Sequence, residues 1–357
     1  MRSAPWRPAV FIFAIACLGA GRAACGVSDP FPIVRQAGVD WIAMRAAAAR
    51  FGLKQESTVK GRQVEWSGDG LRFRLQPGSR EVAVNGLRLF LGQPVMNRGG
   101  EPYLSLADFD RRLLARMRPG LCRIPTPRVH VVAIDPGHGG KDHGAENRRL
   151  GLMEKTFTLA VSLQLKSLLD AAGFSVILTR DTDVDVPKAT RAEIANLSGA
   201  DVFVSVHFNS LEPDTRTTGV EVLTFPLQGQ RPDASWSTGA DDSEARASPV
   251  NRFDPWSAAL AGALHRNLLQ TLRSGDRGEK TEHLAVLRPL NCPGALVEPA
   301  FISNDEEARR LSTRAFQERI AAAIASGILD YAASVPVPNP PPQAPSTTPA
   351  SPATAPL

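Results

Sequence analysis

Fourteen residues, Val131 to Gly144 (VVAIDPGHGGKDHG), constrain this chain more than any other stretch. Val131 to Ile134 carry no charge and are mostly β-branched, so they predict a short buried strand. The strand is broken at once by Asp135, Pro136, Gly137, His138, Gly139 and Gly140. A histidine in a glycine-rich turn after a buried strand is an imidazole at the carboxyl end of a sheet, where open α/β sheets build their sites.

The residues that follow alternate in period. Strands are expected at Ser175–Leu178, Asp201–Val206, Gly219–Phe225, Ala285–Leu287 and Ala295–Val297. Helices are expected at Lys155–Ala172, Thr190–Leu197, Trp256–Leu272, Asn304–Leu311 and Ala315–Tyr331. In the first of these helices Leu159, Leu163, Leu165, Leu168 and Leu169 supply the apolar positions, and Gly173 stops it. Such alternation predicts a mostly parallel sheet with helices on both faces. Pro226 to Pro255 interrupts the pattern with a long insertion rich in Gly, Pro, Ser and Asp, of the kind that is usually functional or disordered.

Ahead of this unit, residues 30–120 read as a small α+β module, a scaffold or binding element with no His and no acidic cluster. Val39–Leu53 has helical period and ends on Gly52. Short strands follow at Gln63–Trp66, Leu71–Leu75 and Glu81–Val84, with Asn85-Gly86 as a hairpin turn. Tyr103–Leu106 reads as a strand and Ala107–Met117 as a second helix. Arg118 to Pro127, with three prolines and a glycine, is the best internal boundary. The module resembles, weakly and locally, the N-terminal domain of copper amine oxidases through its hairpin near the middle.

Charge and cysteines set the compartment. The formal charge is +5, but Arg2, Arg7 and Arg22 stand in residues 1–24 without an acidic residue, and the rest carries only +2. A nucleic-acid partner is therefore not expected. Those 24 residues have the form of a signal peptide: basic start, the apolar run Ala9–Ala20, then small residues. The run is too short for a stable span, so no membrane span is expected after cleavage. An uncleaved anchor or a lipoprotein at Cys25 or Cys17 are the other readings. In the oxidising compartment this implies, Cys122 and Cys292 either pair or stay as two buried thiols. Residues 335–357 form an uncharged proline-rich tail that cannot build a core.

The polar residues at the predicted strand ends make a set. His138 follows the first strand, His207 follows DVFVSV, and Glu298 follows ALV; Glu154 opens the helix after the first crossover. Two imidazoles and a carboxylate are a ligand set for zinc with a position left for water. A second carboxylate can then carry a proton from water to a leaving group. Spacing alone also allows a hydrogen-bonded core histidine at His207 and helix-dipole compensation at Glu154.

Residues 130–333 closely resemble the zinc-dependent N-acetylmuramoyl-L-alanine amidases of the amidase-3 type. The matching pieces are IDPGHGGKDHGA, MEK opening a helix, LTRDTD, Arg191 to Asn196, ADVFVSVHFNS, GVEV and ALVEPAFISNDEE, all in the family's order. The resemblance implies a twisted, mostly parallel six-stranded sheet with helices on both faces, in a catalytic domain spanning 128–333. It implies zinc held by His138, Glu154 and His207, with Glu298 as the catalytic residue. It implies hydrolysis of the amide bond between N-acetylmuramic acid and L-alanine in peptidoglycan, by a secreted or periplasmic, monomeric enzyme of the cell envelope that a protein activator can control. A departure from the pattern is Pro299 after Glu298. The insertion lies where some relatives carry a regulatory segment.

Other residues fall around this set. Asp135 caps the turn or supports a ligand. Asn209 orients His207 or binds substrate, and Arg288 could meet an anionic stem peptide. Arg180 and Arg191 read as structural ion-pair partners, His143 as a neighbour of the site, and His265 and His283 as bystanders. Two rival functions remain at this level: a zinc peptidase on the stem peptide, and a non-catalytic wall-binding regulator.

Overall fold

A computed structural model describes residues 31–59, 63–122, 129–233 and 246–335. The signal-like segment, the centre of the insertion and the proline-rich tail lie outside these residues. In chain order the first part contains β1 (Ile33–Gln36), β2 (Val39–Ala43), α1 (Met44–Arg50), β3 (Lys54–Val59), β4 (Gln63–Gly68), β5 (Leu71–Leu75), β6 (Glu81–Val84), β7 (Leu87–Phe90), β8 (Met96–Arg98) and β9 (Glu101–Ser105). A helical run follows as α2 (Leu106–Asp108), one π turn over Phe109–Leu113, and α3 (Leu114–Met117).

The single helix expected over Val39–Leu53 divides in two. Its first five residues are β2, which pairs antiparallel with both β1 and β9, and only Met44–Arg50 is helical. Cross-strand pairing of Trp41 and Ile42 outweighs the local period, while the alanines of α1 keep their helical preference. At Asn85-Gly86 both residues have positive φ, +52° and +83°, and the turn joins β6 to β7 with Val84 opposite Leu87.

The second part contains β10 (Val131–Pro136), the hairpin β11 (Glu146–Asn147) and β12 (Leu152–Met153), α4 (Glu154–Ala171), β13 (Ser175–Leu178), α5 (Lys188–Leu197), β14 (Val202–Val206), β15 (Val220–Thr224), α6 (Asp254–Leu272), β16 (Asp276–Thr281), β17 (Gly294–Glu298), α7 (Asp305–Leu311) and α8 (Arg314–Ser334). Its strands run in the order β13-β10-β14-β17-β15-β16. All neighbours are parallel except β15 and β17. One face packs Val132, Ile134, Val204 and Val206 against α4, α6 and α8, including Trp256, Leu264, Ile320 and Tyr331. The other packs Ala133 and Phe203 against Ala192 and Ala195 of α5 and against Leu287 and Leu290. The buried stripe of α4 is Phe157, Val161, Leu165 and Leu169, whereas Leu163 and Leu168 stay exposed. Each side chain of that stripe contributes roughly 1.5–3 kcal/mol by leaving water.

One expected strand is wrong. Ala285–Leu287 lies in a run of turns, and the sixth strand is β16, sequence DRGEKT. A strand so rich in charge does not show the usual pattern. It is stable here because three of its four charges are hydrogen-bonded or ion-paired and the fourth, Arg277, lies 5.2 Å over the Phe301 ring. The Asp276 carboxylate accepts from the Arg88 backbone N–H at 3.0 Å, the Glu279 carboxylate pairs with Arg116, and Lys280 pairs with Glu221.

These partners form a seam between the two parts. β7 lies parallel to β16, so the first module extends the sheet to eleven strands. His265, expected to be a bystander, is fully buried in this seam, 3.0 Å from Asp276 and 3.2 Å from Glu279. Gly278 has φ +92° and lies beneath the Phe90 ring, where a Cβ would collide. Arg111 reaches Asp254 at 3.3 Å. The described ends of the insertion join the same seam. The Asp233 carboxylate accepts from Thr281 and pairs with Arg80 at 2.6 Å, and Gln230 fills the space over Gly92. The two body cysteines do not pair with each other: Cys122 is disulfide-bonded and Cys292 is a free, buried thiol. Burial pushes the Cys292 thiol up to about 12.

The seam makes two expectations testable. Arg116→Met leaves Glu279 buried without its guanidinium partner, and the expected cost is about 3 kcal/mol in denaturant unfolding; a loss under about 0.5 kcal/mol would show the pair to be dispensable. Asp254 is buried, and desolvation raises its pKa to about 7 despite the Asn251 and Arg111 contacts. The folded state therefore binds this proton more tightly than the unfolded one. Its contribution is fullest below the unfolded carboxylate range near pH 4 and is lost as pH rises through 7. Asp254→Asn should raise Tm relative to the parent by more at pH 8.5 than at pH 5.5 in scanning calorimetry.

Candidate metal centre

The site grows from the turn after β10. His138 has φ +59°, a left-handed backbone that costs a non-glycine residue energy and needs outside support. Two buried arginines supply it. Arg191 donates to the Pro136 carbonyl at 2.6 Å and the His138 carbonyl at 2.7 Å. Arg180 donates to the Pro136 and Gly137 carbonyls at 2.9 and 2.8 Å. Asp135 holds Arg191 at 2.8 Å and also accepts from Thr179 and Ser205, at 2.5 and 2.7 Å. Asp135 thus anchors the turn from below and does not touch a ligand side chain.

Three side chains converge above the turn. Their ligand atoms, from His138, Glu154 and His207, lie within 4.8 Å of one another. His138 Nε2 is 3.2 Å from Glu154 Oε2, and His207 Nδ1 is 2.8 Å from Glu154 Oε1. Glu154 is the first residue of α4, yet its carboxylate makes no cap on its own helix. It accepts instead from the backbone N–H groups of Ala145 at 2.8 Å and Phe208 at 3.0 Å. Burial opposes its charge, but the two imidazoles hold its carboxyl far below the ordinary range. Burial also works against a charged His138, while its contacts with Glu154 and Asp142 raise its pKa overall.

Asp142 escaped the sequence reading. Its carboxylate lies 2.8 Å from His138 Nδ1, which leaves Nε2 turned toward Glu154. The signal was present as an acidic residue four positions after the histidine inside the same glycine-rich stretch. Lys155, beside Glu154, turns its amine away to the Gly140 carbonyl and Asp183, both at 2.8 Å. The neighbouring His143 is held by Glu146 at 2.8 Å.

Glu298 ends β17. The His207 backbone N–H donates to the Val297 carbonyl at 3.0 Å, so Glu298 follows directly beside the His207 segment. It is half-buried, and its Oε2 is sealed from solvent with no hydrogen-bond partner. Burial first, and then Glu154, Glu221 and Glu282, push its pKa well above the ordinary range. Glu221 stands opposite Glu298 in the antiparallel pair. Asn209 donates to Glu221 at 2.8 Å; its side chain does not orient His207 through any bond seen here. Arg288 lies in the turn after β16, not at a strand end, with its guanidinium 5.3 Å over the Phe225 ring.

The donor set suits a metal ion. Two imidazole nitrogens and an ionised carboxylate of low proton affinity converge, and glycines keep the space around them clear. A Cβ on Gly144, whose φ is +69°, would come within 2.5 Å of His138 Cδ2 and 2.6 Å of Glu154 Oε2; one on Gly137 would strike the His207 ring.

An open α/β sheet bearing a candidate metal-ligand trio and a carboxylate with an unpartnered oxygen at one rim has the layout of a metal-assisted hydrolase. Residues 132–330 match the Amidase_3 family, N-acetylmuramoyl-L-alanine amidase, and the chain belongs to that family. It is accordingly an amidase. It is 32% identical over 222 residues to the N-acetylmuramoyl-L-alanine amidase AmiA of Escherichia coli, covering 56% of this chain and 75% of that one. It is 34% identical over 221 residues to AmiC of Neisseria meningitidis, covering 57% of this chain and 53% of that protein. Among solved structures it is similar to the amidase AmiC2 of Nostoc punctiforme, at 33% identity and a TM-score of 0.47, over 58% of this chain and 98% of that one.

Gly144→Ala should reduce metal affinity by at least tenfold, because the new methyl group meets two ligands at once. Chelator competition on purified protein measures this, and unchanged affinity would mean that the three residues do not hold the ion.

Proposed function

We propose that this chain is an exported, zinc-dependent enzyme that hydrolyses the amide bond between N-acetylmuramic acid and L-alanine in peptidoglycan. The observation that carries the reading is the trio of His138, Glu154 and His207 within 4.8 Å, beside the unpartnered carboxylate of Glu298. Family membership supports the bond cleaved. The donor types, two nitrogens and one oxygen, support zinc. The signal-like residues 1–24 and the disulfide at Cys122 support a site of action outside the cytoplasm, in the periplasm or envelope. No helix among the described residues is long and apolar enough to cross a membrane.

His138, Glu154 and His207 would hold the ion. When bound, zinc supplies a Lewis acid for the amide carbonyl and lowers the pKa of water. Glu298 accepts a proton from the attacking water as its oxygen bonds to the carbonyl carbon. The same carboxyl then gives that proton to the departing nitrogen as the C–N bond breaks. The products are a lactyl carboxylate on the glycan and a stem peptide with a free L-alanine amine. A carboxyl group held away from solvent, with one oxygen free of partners, is suited to both halves of this transfer. Asp142 fixes the His138 ring, and the Arg180 and Arg191 cage fixes its backbone.

The amine-oxidase-like module, residues 30–120, acts in this reading as scaffold for the sheet edge, with wall binding as a further role. The four-residue set argues against a non-catalytic regulator.

Glu298→Gln should lower turnover of purified peptidoglycan by about a thousandfold while zinc stays bound at one equivalent. Chelation should abolish activity in the parent, and zinc should restore it. Release of free L-alanine amines with lactyl carboxylates identifies the amidase reaction. Cleavage inside the stem peptide would assign a peptidase, and full turnover by Glu298→Gln would remove Glu298 from the chemistry.

A further inference from the structure

Glu154 of the candidate metal centre and Glu298 arrive from different elements, and their separation must be set by something. The His207 segment is tied to the Glu298 segment by backbone bonds. The His207 N–H donates to Val297 at 3.0 Å, Asn209 N–H to Ala300 at 3.0 Å, and Ile302 N–H to Asn209 at 2.8 Å. Glu154 comes from another element: it opens α4 immediately after the hairpin of β11 and β12. One buried side chain carries that hairpin to the loop after Glu298.

Asn147 is 5% exposed and lies in β11, opposite Leu152, two residues before Glu154. Its Oδ1 accepts from the Leu150 N–H at 3.1 Å and closes the hairpin turn. Its Nδ2 donates to the Ile302 carbonyl at 3.0 Å and to Asp305 Oδ1 at 2.8 Å. The amide orientation is dictated by its neighbours, an N–H on one side and two oxygens on the other. Asp305 opens α7 and is also paired with Arg149 of the same hairpin, at the exposed surface. Glu307 on α7 takes the Phe301 N–H at 2.6 Å, so the loop that Asn147 grips is itself fixed.

We propose that Asn147 is a positioning residue for catalysis, a latch that sets the distance between Glu154 in the metal centre and the carboxylate of Glu298. The proposal rests on the assignment of those two residues made above. It gives Asn147 no contact with substrate or metal. The latch acts on geometry, where displacement of a reacting group by about 1 Å can cost on the order of a hundredfold in rate. Glu154 follows the hairpin on one side of the latch, whereas His207 and Glu298 lie together on the other; because Glu154 also keeps its own bonds to the Phe208 N–H and to His207, loosening the latch should slow turnover more than it weakens metal binding.

The test uses the full-length protein with zinc loaded. Asn147→Asp keeps the acceptor for Leu150 but sets a carboxylate against the Ile302 carbonyl and Asp305. The expected result is a fall in kcat of about tenfold or more on peptidoglycan, with KM within about twofold and zinc at one equivalent. Adding Asp305→Asn returns a donor to the pair in the opposite direction and should recover at least about threefold of the lost kcat. Arg149→Ala removes only the exposed partner of Asp305 and should leave kcat within about twofold. Unchanged kcat in Asn147→Asp overturns the proposal. So does a fall in kcat that is matched by zinc loss and is not recovered by the second substitution, since that describes a residue needed only for folding. A parent enzyme insensitive to chelation would overturn the functional reading itself, and is recognised before any variant is made.

Discussion

The ion pair between Asp135 and Arg191 underlies the site. It is buried, and a buried charge must be paired and hydrogen-bonded to be tolerated. Asp135 meets this with Arg191, Thr179 and Ser205, and Arg191 uses its remaining donors on the Pro136 and His138 carbonyls. A guanidinium suits this work because its donors are held in one plane. The left-handed backbone at His138 persists because these bonds, with those of Arg180, leave the turn little freedom. Without that backbone the imidazole would not face Glu154.

The same logic recurs at the sheet edge. β16 is a strand made of charges, and it pairs with β15 on one side and β7 on the other. Arg88 and Arg116 come from the N-terminal module, while His265 comes from α6. The module is therefore not an appendage on a flexible stalk. It covers an edge strand whose backbone and side chains would otherwise stand open to other chains. The ends of the Pro226–Pro255 insertion fasten to the same place through Gln230 and Asp233.

Much of the candidate site was legible because its residues sit at positions that sequence marks well. His138 and His207 follow hydrophobic runs that can only be buried strands, and Glu298 follows a third. Glu154 opens a strongly periodic helix. Asp142, Asn147 and Glu221 were missed or given no role because they act through partners distant in the chain. An acidic or amide side chain in a loop reads as solvated until its partner is known. Asn209 and Arg288 were read as substrate or ligand contacts; in the structure Asn209 donates to Glu221 and Arg288 lies over the Phe225 ring.

What the sequence alone determined was the alternation of strands and helices, the strand ends that carry the candidate site residues, and the glycines that leave room for them. These depend on local period, burial and backbone freedom, all of which are written in neighbouring residues. Tertiary structure decided which charged run becomes a strand, where the helix at Val39 begins, and whether Cys122 and Cys292 pair. It also decided how the ligand segments are locked together. Each of these depends on a partner far along the chain, and a charge or a polar edge is stable only when that partner arrives.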